Sequence, residues 1–440
     1  MKKIALPLSL LILLSWALLQ PAGVLDLSAS FMALRKAYTS LTGALALGWM
    51  GFSMLLALHP AWLENSLGGL DRLYRVHKWV GITAVLLVVV HWLLILSPRT
   101  LASWGLIAVQ ARGRHGHGGA GGGGGALTGT AREMGEWAAW LMIALGIVAL
   151  LRFVPYEWFR KLHKGFPVAF LIGAYHSVVL LPHGAAATPF GLLVTAIAIG
   201  GSVIALMSLS GKIGESRKSR GVVTRALKNE AGILELSIRP TSRWPGHKAG
   251  QFALLTFDDR EGSHPFTIAS HWEEGAELRF VIKPLGDYTR ALPDLIASGA
   301  KVTIEGPYGN FDFGNGKEDQ VWIAGGIGIA PFLARLHELI GKGGVSGSTI
   351  HFFYCVRSLR DARFPAGLQT LCDKAGVKLH LRVSEQEGRL DPQGIAPYIQ
   401  NKCSVWFCGP LAWADSLRET LRLHFGLAAN RFHHEVFEFR

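Results

Sequence analysis

Long apolar runs occupy the first half of the chain, whereas short alternating patterns of apolar and polar residues occupy the second half. The apolar runs cover residues 4–19, 41–58, 76–96, 137–153, 162–181 and 190–209. Because a bilayer core about 30 Å thick takes roughly 20 helical residues to cross, each run is about long enough to span it, the first and fourth only just. The pattern predicts six transmembrane helices within residues 1–211.

From residue 212 onward the pattern is that of soluble α/β structure. Alternation at Leu234, Leu236 and Ile238 marks one strand, and further strand candidates follow at residues 250–257, 277–285 and 301–305. Short strands with few helices favour an antiparallel β-barrel domain over residues 212–317. Over residues 318–440 strands alternate with helices, which is typical of a parallel α/β nucleotide-binding domain. The strand candidates there are residues 320–324, 348–356, 377–383 and 404–408.

The net charge of +13 is most concentrated beside the apolar runs, where basic residues set membrane topology and attract anionic lipid. No nucleic-acid motif accompanies it. The basic flanks predict a multi-pass protein of the cell membrane whose N-terminus and C-terminal domains are cytoplasmic. The first run, preceded by Lys2 and Lys3, resembles a signal peptide but has only a weak cleavage site, so we expect a retained helix. The four cysteines lie in the last hundred residues without a CxxC pair, which fits a reducing compartment.

Four histidines lie in or beside the apolar runs as two pairs, His77 with His91, fourteen residues apart, and His163 with His176, thirteen apart. Ionisable residues in a membrane are costly and usually mark a functional path, and histidine is an axial ligand of haem iron. At about 1.5 Å per residue, the members of a pair lie roughly 20 Å apart along a helix. The basic flanks make both helices run from inside to outside. His77 is then expected to face His163, and His91 to face His176, so that the pairs hold two bis-histidine haems.

Two features leave alternatives to this haem hypothesis. Scattered packing histidines are the simpler explanation, which two matched pairs argue against. Thirteen helical residues do not return a side chain to the same face, so we expect Pro167 to distort the second helix or His163 to lie at its start. Phe170, midway between His163 and His176, is either a residue between the haems or an ordinary packing residue.

Residues 112–130 are ten-nineteenths glycine and include His115 and His117. This composition predicts a flexible external loop. Metal capture by its two histidines is the alternative.

Glycine-containing motifs mark the second half of the chain. His264-Pro265-Phe266-Thr267 is preceded by Gly250-Gln251-Phe252 in the predicted barrel. A glycine-rich segment, residues 324–331, follows a predicted strand and opens a predicted helix, so that a phosphate can approach bare backbone amides there. Gly306-Pro307-Tyr308-Gly309 precedes this segment and Cys408-Gly409-Pro410 follows it.

With these motifs in this order, the whole chain apart from the glycine-rich loop resembles the transmembrane ferric reductase and NADPH oxidase family. Its second half resembles the ferredoxin–NADP reductase superfamily. The resemblance implies that FAD is bound by residues of the barrel, and that NADPH or NADH is bound by residues around the α/β domain. The implied FAD-binding residues are Gln251, His264, Pro265, Phe266 and Thr267 at the flavin ring, with Gly286 and Thr289 at the pyrophosphate. The implied nucleotide-binding residues are Gly306, Pro307, Gly325, Gly326, Gly328, Pro331, Gly409 and Pro410.

Three further residues receive roles from the resemblance. Cys408 borders the nicotinamide as a catalytic residue, and Phe437, chosen over Phe439, covers the flavin ring. Arg357 follows a predicted strand at the position that faces the adenosine ribose, where a guanidinium can pair a 2′-phosphate. This favours NADPH, although a solvated arginine at a strand end is the alternative.

Together these residues predict an NAD(P)H-dependent flavohaem oxidoreductase. Electrons are expected to pass from nicotinamide to FAD, then to an inner haem b at His77 and His163 and an outer haem b at His91 and His176. The acceptor is external, either ferric iron or oxygen, which gives superoxide. No iron-chelate pocket is recognisable in the external segments, which favours outer-sphere transfer. A membrane reductase that serves a protein partner or quinone remains an alternative, whereas the cofactor motifs argue against a haem or iron transporter.

Overall fold

The computed structural model describes residues 2–21, 24, 30–107, 122–151, 153–182, 184–211, 213–229, 232–258, 261–314, 318–362, 365–399 and 403–434. The chain divides into two compact units. The first comprises Met1–Glu64 and Arg72–Ile213, and the second comprises Asn65–Asp71 and Gly214–Arg440.

The first half of the described chain is helical. Its helices are α1 (Lys2–Leu19), α2 (Phe31–Ala57), α3 (Ala61–Leu67), α4 (Leu70–Ser103), α5 (Gly122–Leu150), α6 (Tyr156–His163), α7 (Gly165–Val179) and α8 (Pro189–Leu209). Among the described residues, four helical segments, within α2, α4, α5 and α8, are long and apolar enough to cross a membrane. The structure therefore has membrane-type helices as predicted, but α1 and α7 do not meet this criterion.

The predicted single helix over residues 162–181 is wrong, because the chain forms two helices there. α6 ends at His163 and α7 begins at Gly165. Pro167 has no N–H to donate to the carbonyl of His163, so an uninterrupted helix would lose that bond. In the first turn of α7 the missing N–H costs nothing. His163 consequently ends one helix while His176 lies within the next.

The predicted loop at residues 112–130 is wrong over its second part, because α5 begins at Gly122. His115 and His117 lie outside the described residues. Glycine costs about 1 kcal/mol relative to alanine inside a helix. In a membrane, however, backbone groups must be bonded within their own segment, and small residues allow helices to approach closely.

Phe170 of α7 is fully buried in the core of the first unit. Its ring lies against Gly51 of α2 and against Gly201 of α8, where a methyl group would overlap it. Glycine at both positions lets the helix backbones close around the aromatic ring. These contacts favour the packing role of Phe170 over a place between two haems.

In the part of the second unit that the structure describes, the strands form two sheets. The strands are β1 (Lys218–Lys228), β2 (Leu234–Pro240), β3 (Phe252–Thr256), β4 (His264–Thr267), β5 (Leu278–Ile282), β6 (Lys301–Tyr308), β7 (Gln320–Gly325), β8 (Ile350–Val356), β9 (Lys378–Val383), β10 (Ser404–Cys408) and β11 (Phe432–His434). The helices are α9 (Asp287–Leu295), α10 (Ala330–Gly341), α11 (Leu359–Ala362), α12 (Leu368–Ala375), α13 (Ser384–Glu387), α14 (Pro392–Ile395) and α15 (Leu411–Phe425).

The first sheet is antiparallel, with the strand order β4-β3-β6-β1-β2-β5. An isolated bridge between Ile268 and Phe280 joins the chain after β4 to β5 at the far edge, so the sheet nearly closes on itself. Alternate residues of its strands, such as Leu234, Leu236 and Ile238, point into one apolar core. The predicted antiparallel barrel is confirmed in this form.

The second sheet is parallel, with the strand order β11-β10-β7-β8-β9. Trp322 and Ala324 of β7 pack into one core, whereas Val321 and Ile323 pack into another. Burial on both faces explains why β7 and β10 are nearly continuous apolar runs. The predicted parallel α/β fold is confirmed.

The contact between Phe170 and Gly201 gives a stability prediction for the first unit. Gly201→Ala should lower the free energy of unfolding by about 1–3 kcal/mol, because an extra methyl in a packed core forces its neighbours apart. Gly200→Ala is the matched control, since a methyl there meets nothing within 4 Å. Thermal melting of both variants in one detergent checks this, and equal melting temperatures would contradict it.

Candidate functional site

The structure brings the four histidines of the first unit together as two pairs. His77 and His91 lie on α4, His163 ends α6, and His176 lies on α7. The ring centroids of His77 and His163 are 6.0 Å apart, and those of His91 and His176 are 6.3 Å apart. Each histidine of α4 thus faces the partner that the spacing predicted.

The separation within each pair suits a shared metal ion. Two metal–nitrogen bonds of about 2 Å would set two imidazole centroids about 6 Å apart. Within the described residues, no group of three or more His, Cys, Asp or Glu side chains could hold a metal by itself. Two imidazoles at each level fit haem, whose macrocycle supplies its own in-plane nitrogens.

Backbone carbonyls hold the protons of three of these imidazoles. His77 Nδ1 donates to the carbonyl of Ser53 at 2.9 Å, His91 Nδ1 to that of Thr39 at 3.1 Å, and His176 Nδ1 to that of Ala131 at 2.7 Å. A carbonyl can only accept, so the proton lies on Nδ1 and Nε2 keeps its lone pair. Such bonds orient the histidine ligands of metals and raise their basicity.

His163 differs from the other three. Its Nδ1 is buried and has no hydrogen-bond partner among the described residues. The ring instead lies between the aromatic rings of Phe159 and Phe166, with centroids 5.1 Å and 4.9 Å away. Aromatic packing rather than a carbonyl therefore positions this imidazole.

The two predicted flavin motifs meet at one edge of the barrel. β4 carries His264–Thr267 at the sheet edge, where it pairs with β3. The ring of His264 stacks on that of Tyr288, with centroids 3.7 Å apart and planes 14° apart. Thr289 Oγ1 accepts hydrogen bonds from the backbone N–H groups of Leu285 and Gly286 and so shapes the turn before α9.

Tyr288 supplies a buried donor at this place. Its hydroxyl has no hydrogen-bond partner among the described residues. Burial, together with the nearby carboxyl groups of Glu261 and Asp258, raises the pKa of Tyr288 to about 12, so the hydroxyl keeps its proton. A buried donor without an acceptor fits a bound molecule that brings oxygen atoms, and FAD is rich in them.

Gln251 binds two loops of the protein to each other. Its Nε2 donates to the carbonyl of Gly309 at 3.1 Å, and its Oε1 accepts from the backbone N–H of Lys248 at 2.8 Å. A methyl on Gly250 would overlap the carbonyl oxygen of Phe311. The segment before β3 is therefore joined to the turn that follows Gly306 and Pro307.

The predicted nucleotide motifs meet at the carboxyl ends of β7 and β10. A methyl on Gly328 would overlap the carbonyl oxygen of Cys408, and one on Gly325 would lie 3.3 Å from Pro410. β8 and β9 lie on one side of these two strands and β11 on the other, so this is the switch point where nucleotides bind in open α/β sheets. Gly326 begins a short 3₁₀ turn that leads into α10, whose first turn holds Pro331.

The remaining predicted site residues have different surroundings. Arg357 follows β8 with its side chain 84% exposed and forms an ion pair with Glu385 at 3.3 Å. Cys408 is buried. Phe437 and Phe439 lie outside the described residues.

His247 is a residue near the flavin motifs that sequence reasoning missed. Its Nε2 donates to the carbonyl of Ser270 at 2.9 Å, just beyond β4, while Trp244 Nε1 donates to its Nδ1 at 3.4 Å. Burial lowers the pKa of His247 to about 4, with His271 acting in the same direction and the bond to Ser270 and Glu338 opposing. No motif distinguishes this histidine in the sequence.

This pKa predicts acid sensitivity of the barrel. Since the unfolded chain binds the proton near pH 6.5 and the folded chain only near pH 4, stability should fall as the pH falls through that window, by up to about 3 kcal/mol. Melting followed by flavin release should show a weaker pH dependence in His247→Gln. The exposed His424→Gln is the control, and a profile shared by all three proteins would refute the assignment.

Comparisons with known proteins match both units of the chain. Residues 42–174 match the model for the ferric reductase like transmembrane component, and residues 221–312 match that for an FAD-binding domain. These matches confirm the architecture of ferric reductases and NADPH oxidases that the motifs predicted. The chain accordingly combines a ferric reductase like transmembrane component with an FAD-binding domain.

Individual relatives resemble parts of the chain. The reductase component of propane 2-monooxygenase from Rhodococcus jostii (strain RHA1) is 27% identical over 224 residues, 45% of this chain and 58% of that protein. A subunit of the Na⁺-translocating NADH-quinone reductase from Pseudomonas aeruginosa (strain UCBPP-PA14) is 24% identical over 201 residues, 40% of this chain and 49% of that protein. The chain thus spans about half the length of these curated relatives.

Solved structures include more distant neighbours. Flavohemoglobin from Malassezia yamatoensis has a TM-score of 0.45 and 20% identity, covering 70% of this chain and 88% of that one. Phthalate dioxygenase reductase has a TM-score of 0.42 and 18% identity, covering 50% of this chain and 68% of that one.

Proposed function

We propose that this protein is a multi-pass enzyme of the cell membrane that transfers electrons from cytoplasmic NAD(P)H, through FAD and two haems b, to an external acceptor. Ferric iron and oxygen are the proposed acceptors, oxygen giving superoxide. The observation that carries the proposal is the pairing of four imidazoles at two levels, with centroids 6.0 Å and 6.3 Å apart. The matched FAD-binding domain on the same chain supplies the electron entry.

When bound, FAD would supply the change from a two-electron hydride of NAD(P)H to the single electrons that a haem can take. The residues of the chain bind these cofactors and orient them. Bare backbone at Gly325 and Gly328 lets a pyrophosphate approach the first turn of α10. His264 and Tyr288 shape the flavin edge of the barrel, and the protonated Tyr288 hydroxyl offers a hydrogen bond.

The histidines define an inner and an outer level. By the orientation that the basic flanks favour, His77 and His163 lie toward the cytoplasm, and His91 and His176 lie toward the outside. Two imidazoles at each level would hold one haem between them. An external acceptor would then receive electrons by outer-sphere transfer, which a ferric chelate and oxygen can both use.

A second candidate is a membrane reductase that passes electrons to a protein partner or quinone. Its support is that two relatives are named as a reductase component of a monooxygenase and as part of an NADH-quinone reductase. A purified protein that oxidises NAD(P)H only after quinone or a membrane extract is added would favour this candidate.

The histidine variants test the proposed route. His91→Ala or His176→Ala should remove the outer haem while NAD(P)H still reduces the inner one, because each level has its own pair of ligands. Reduced-minus-oxidised spectra should therefore show half the haem of the wild type. Two haems per chain in either variant would exclude the assignment.

The same variants test the acceptor. The purified wild type should produce both superoxide and reduced ferric chelate with NAD(P)H, and both activities should disappear in His91→Ala. Full activity without the outer haem would mean that the acceptor takes electrons directly from the flavin.

Arg357 tests the nucleotide preference. If its guanidinium pairs a 2′-phosphate, Arg357→Ala should lower kcat/KM for NADPH about 10-fold or more, the loss of a charge-assisted pair, and leave NADH unchanged. Glu385→Gln is the companion variant, because it releases Arg357 from its ion pair and should not weaken NADPH use. Equal kcat/KM values for the two nucleotides, unchanged in Arg357→Ala, would reject this role.

A further inference from the structure

The outer histidines are each held by one turn of a neighbouring helix. On α2, the carbonyl of Thr39 accepts the Nδ1 proton of His91, and Gly43 lies four residues later. A methyl on Gly43 would lie 3.1 Å from Cε1 of His91. Thr42 Oγ1 is also 3.2 Å from the same Nδ1, so the ring contacts this turn at three successive places.

The same arrangement recurs on α5. The carbonyl of Ala131 accepts the Nδ1 proton of His176 at 2.7 Å, and Gly135 again lies four residues later. A methyl on Gly135 would overlap Nδ1, Cε1 and Cγ of His176. Two different helices therefore each present a backbone carbonyl and, one turn later, a glycine to an imidazole.

Helix geometry explains why the glycine comes four residues after the carbonyl. Each Cα–Cβ bond tilts toward the N-terminus of its helix, so the Cβ of one residue projects over the carbonyl of the residue four positions earlier. A side chain that approaches this carbonyl from outside meets that Cβ first. Glycine removes it, and the second lone pair of the carbonyl oxygen can then accept the imidazole N–H.

The inner level is built differently. His77 donates to the carbonyl of Ser53, four residues before Ala57, where α2 ends. His163 has no such bond among the described residues. Among the four histidines, therefore, both members of the outer pair, and neither member of the inner pair, bind a carbonyl that is followed four residues later by a glycine.

We propose that Gly43 and Gly135 are positioning residues for the outer haem. Each opens the carbonyl that holds one Nδ1 proton, and so sets the rotation of His91 or His176 and keeps its Nε2 as the ligand atom. The inference rests on the proposed haem-binding role of these two histidines.

The test compares single glycine-to-alanine variants of the full-length purified protein. Gly135→Ala should lower the haem content from two to one per chain, or change the low-spin EPR signal of the outer haem alone, because its methyl displaces the ring from Ala131. Gly43→Ala should have a smaller effect of the same kind, since a 3.1 Å contact needs a displacement of only a few tenths of an ångström. NAD(P)H should still reduce the inner haem in both.

A matched control exists on α5, the helix that carries Ala131 and Gly135. A methyl at Gly129 of α5 meets nothing within 4 Å. Gly129→Ala should therefore keep two haems with wild-type spectra. FAD content reports on folding of the second unit in every variant.

The outcomes separate this inference from the function on which it rests. A wild type without two low-spin haems would refute the proposed function itself. A wild type with two haems, together with a Gly135→Ala variant that matches Gly129→Ala, would overturn the inference, as would loss of both haems at once. If Gly135→Ala yields no folded protein, the milder Gly43→Ala variant is decisive, and wild-type spectra in it overturn the inference.

Discussion

The cost of burying imidazoles among apolar helices is the constraint on which the first unit depends. A buried polar group without a hydrogen bond costs roughly 1–3 kcal/mol, and helices in an apolar setting have few side-chain partners to offer. His77, His91 and His176 meet this requirement with backbone carbonyls. Because the carbonyls must be reachable, the neighbouring helices have to come close at those positions. The orientation of these imidazoles and the packing of the helices therefore depend on each other.

The second unit meets a different constraint, the close approach of neighbouring backbone segments. At the carboxyl ends of β7 and β10, any side chain at Gly328 would collide with Cys408. The glycines are thus required first by the closeness of the two strands, and the bare amides available to a phosphate are a consequence. At the barrel edge, the stacking of His264 on Tyr288 joins two motifs that are about twenty residues apart in the chain.

Much of the fold followed from patterns that depend only on local chemistry. Continuous apolar runs predicted the membrane-type helices, alternation predicted the barrel strands, and the strand–helix repeat predicted the parallel sheet. Pro167 predicted a distortion near His163, and α6 does end there. The start of α5 at Gly122 was not predicted. Glycine is a poor helix former, so the helical state of the first residues of α5 depends on its surroundings, which a hydropathy pattern does not contain.

By itself, the sequence determined which chemical groups are present and at what spacing. It contains two pairs of histidines, fourteen and thirteen residues apart, and glycines at the junctions between predicted strands and helices. Only the tertiary structure decided how those groups are held. The carbonyls of Thr39 and Ala131 accept the protons of His91 and His176, and Gly43 and Gly135 leave room for the rings. The residues in each of these contacts lie 41 to 52 positions apart in the chain. Such pairs meet only when helices pack, because a backbone carbonyl has no signature in the sequence.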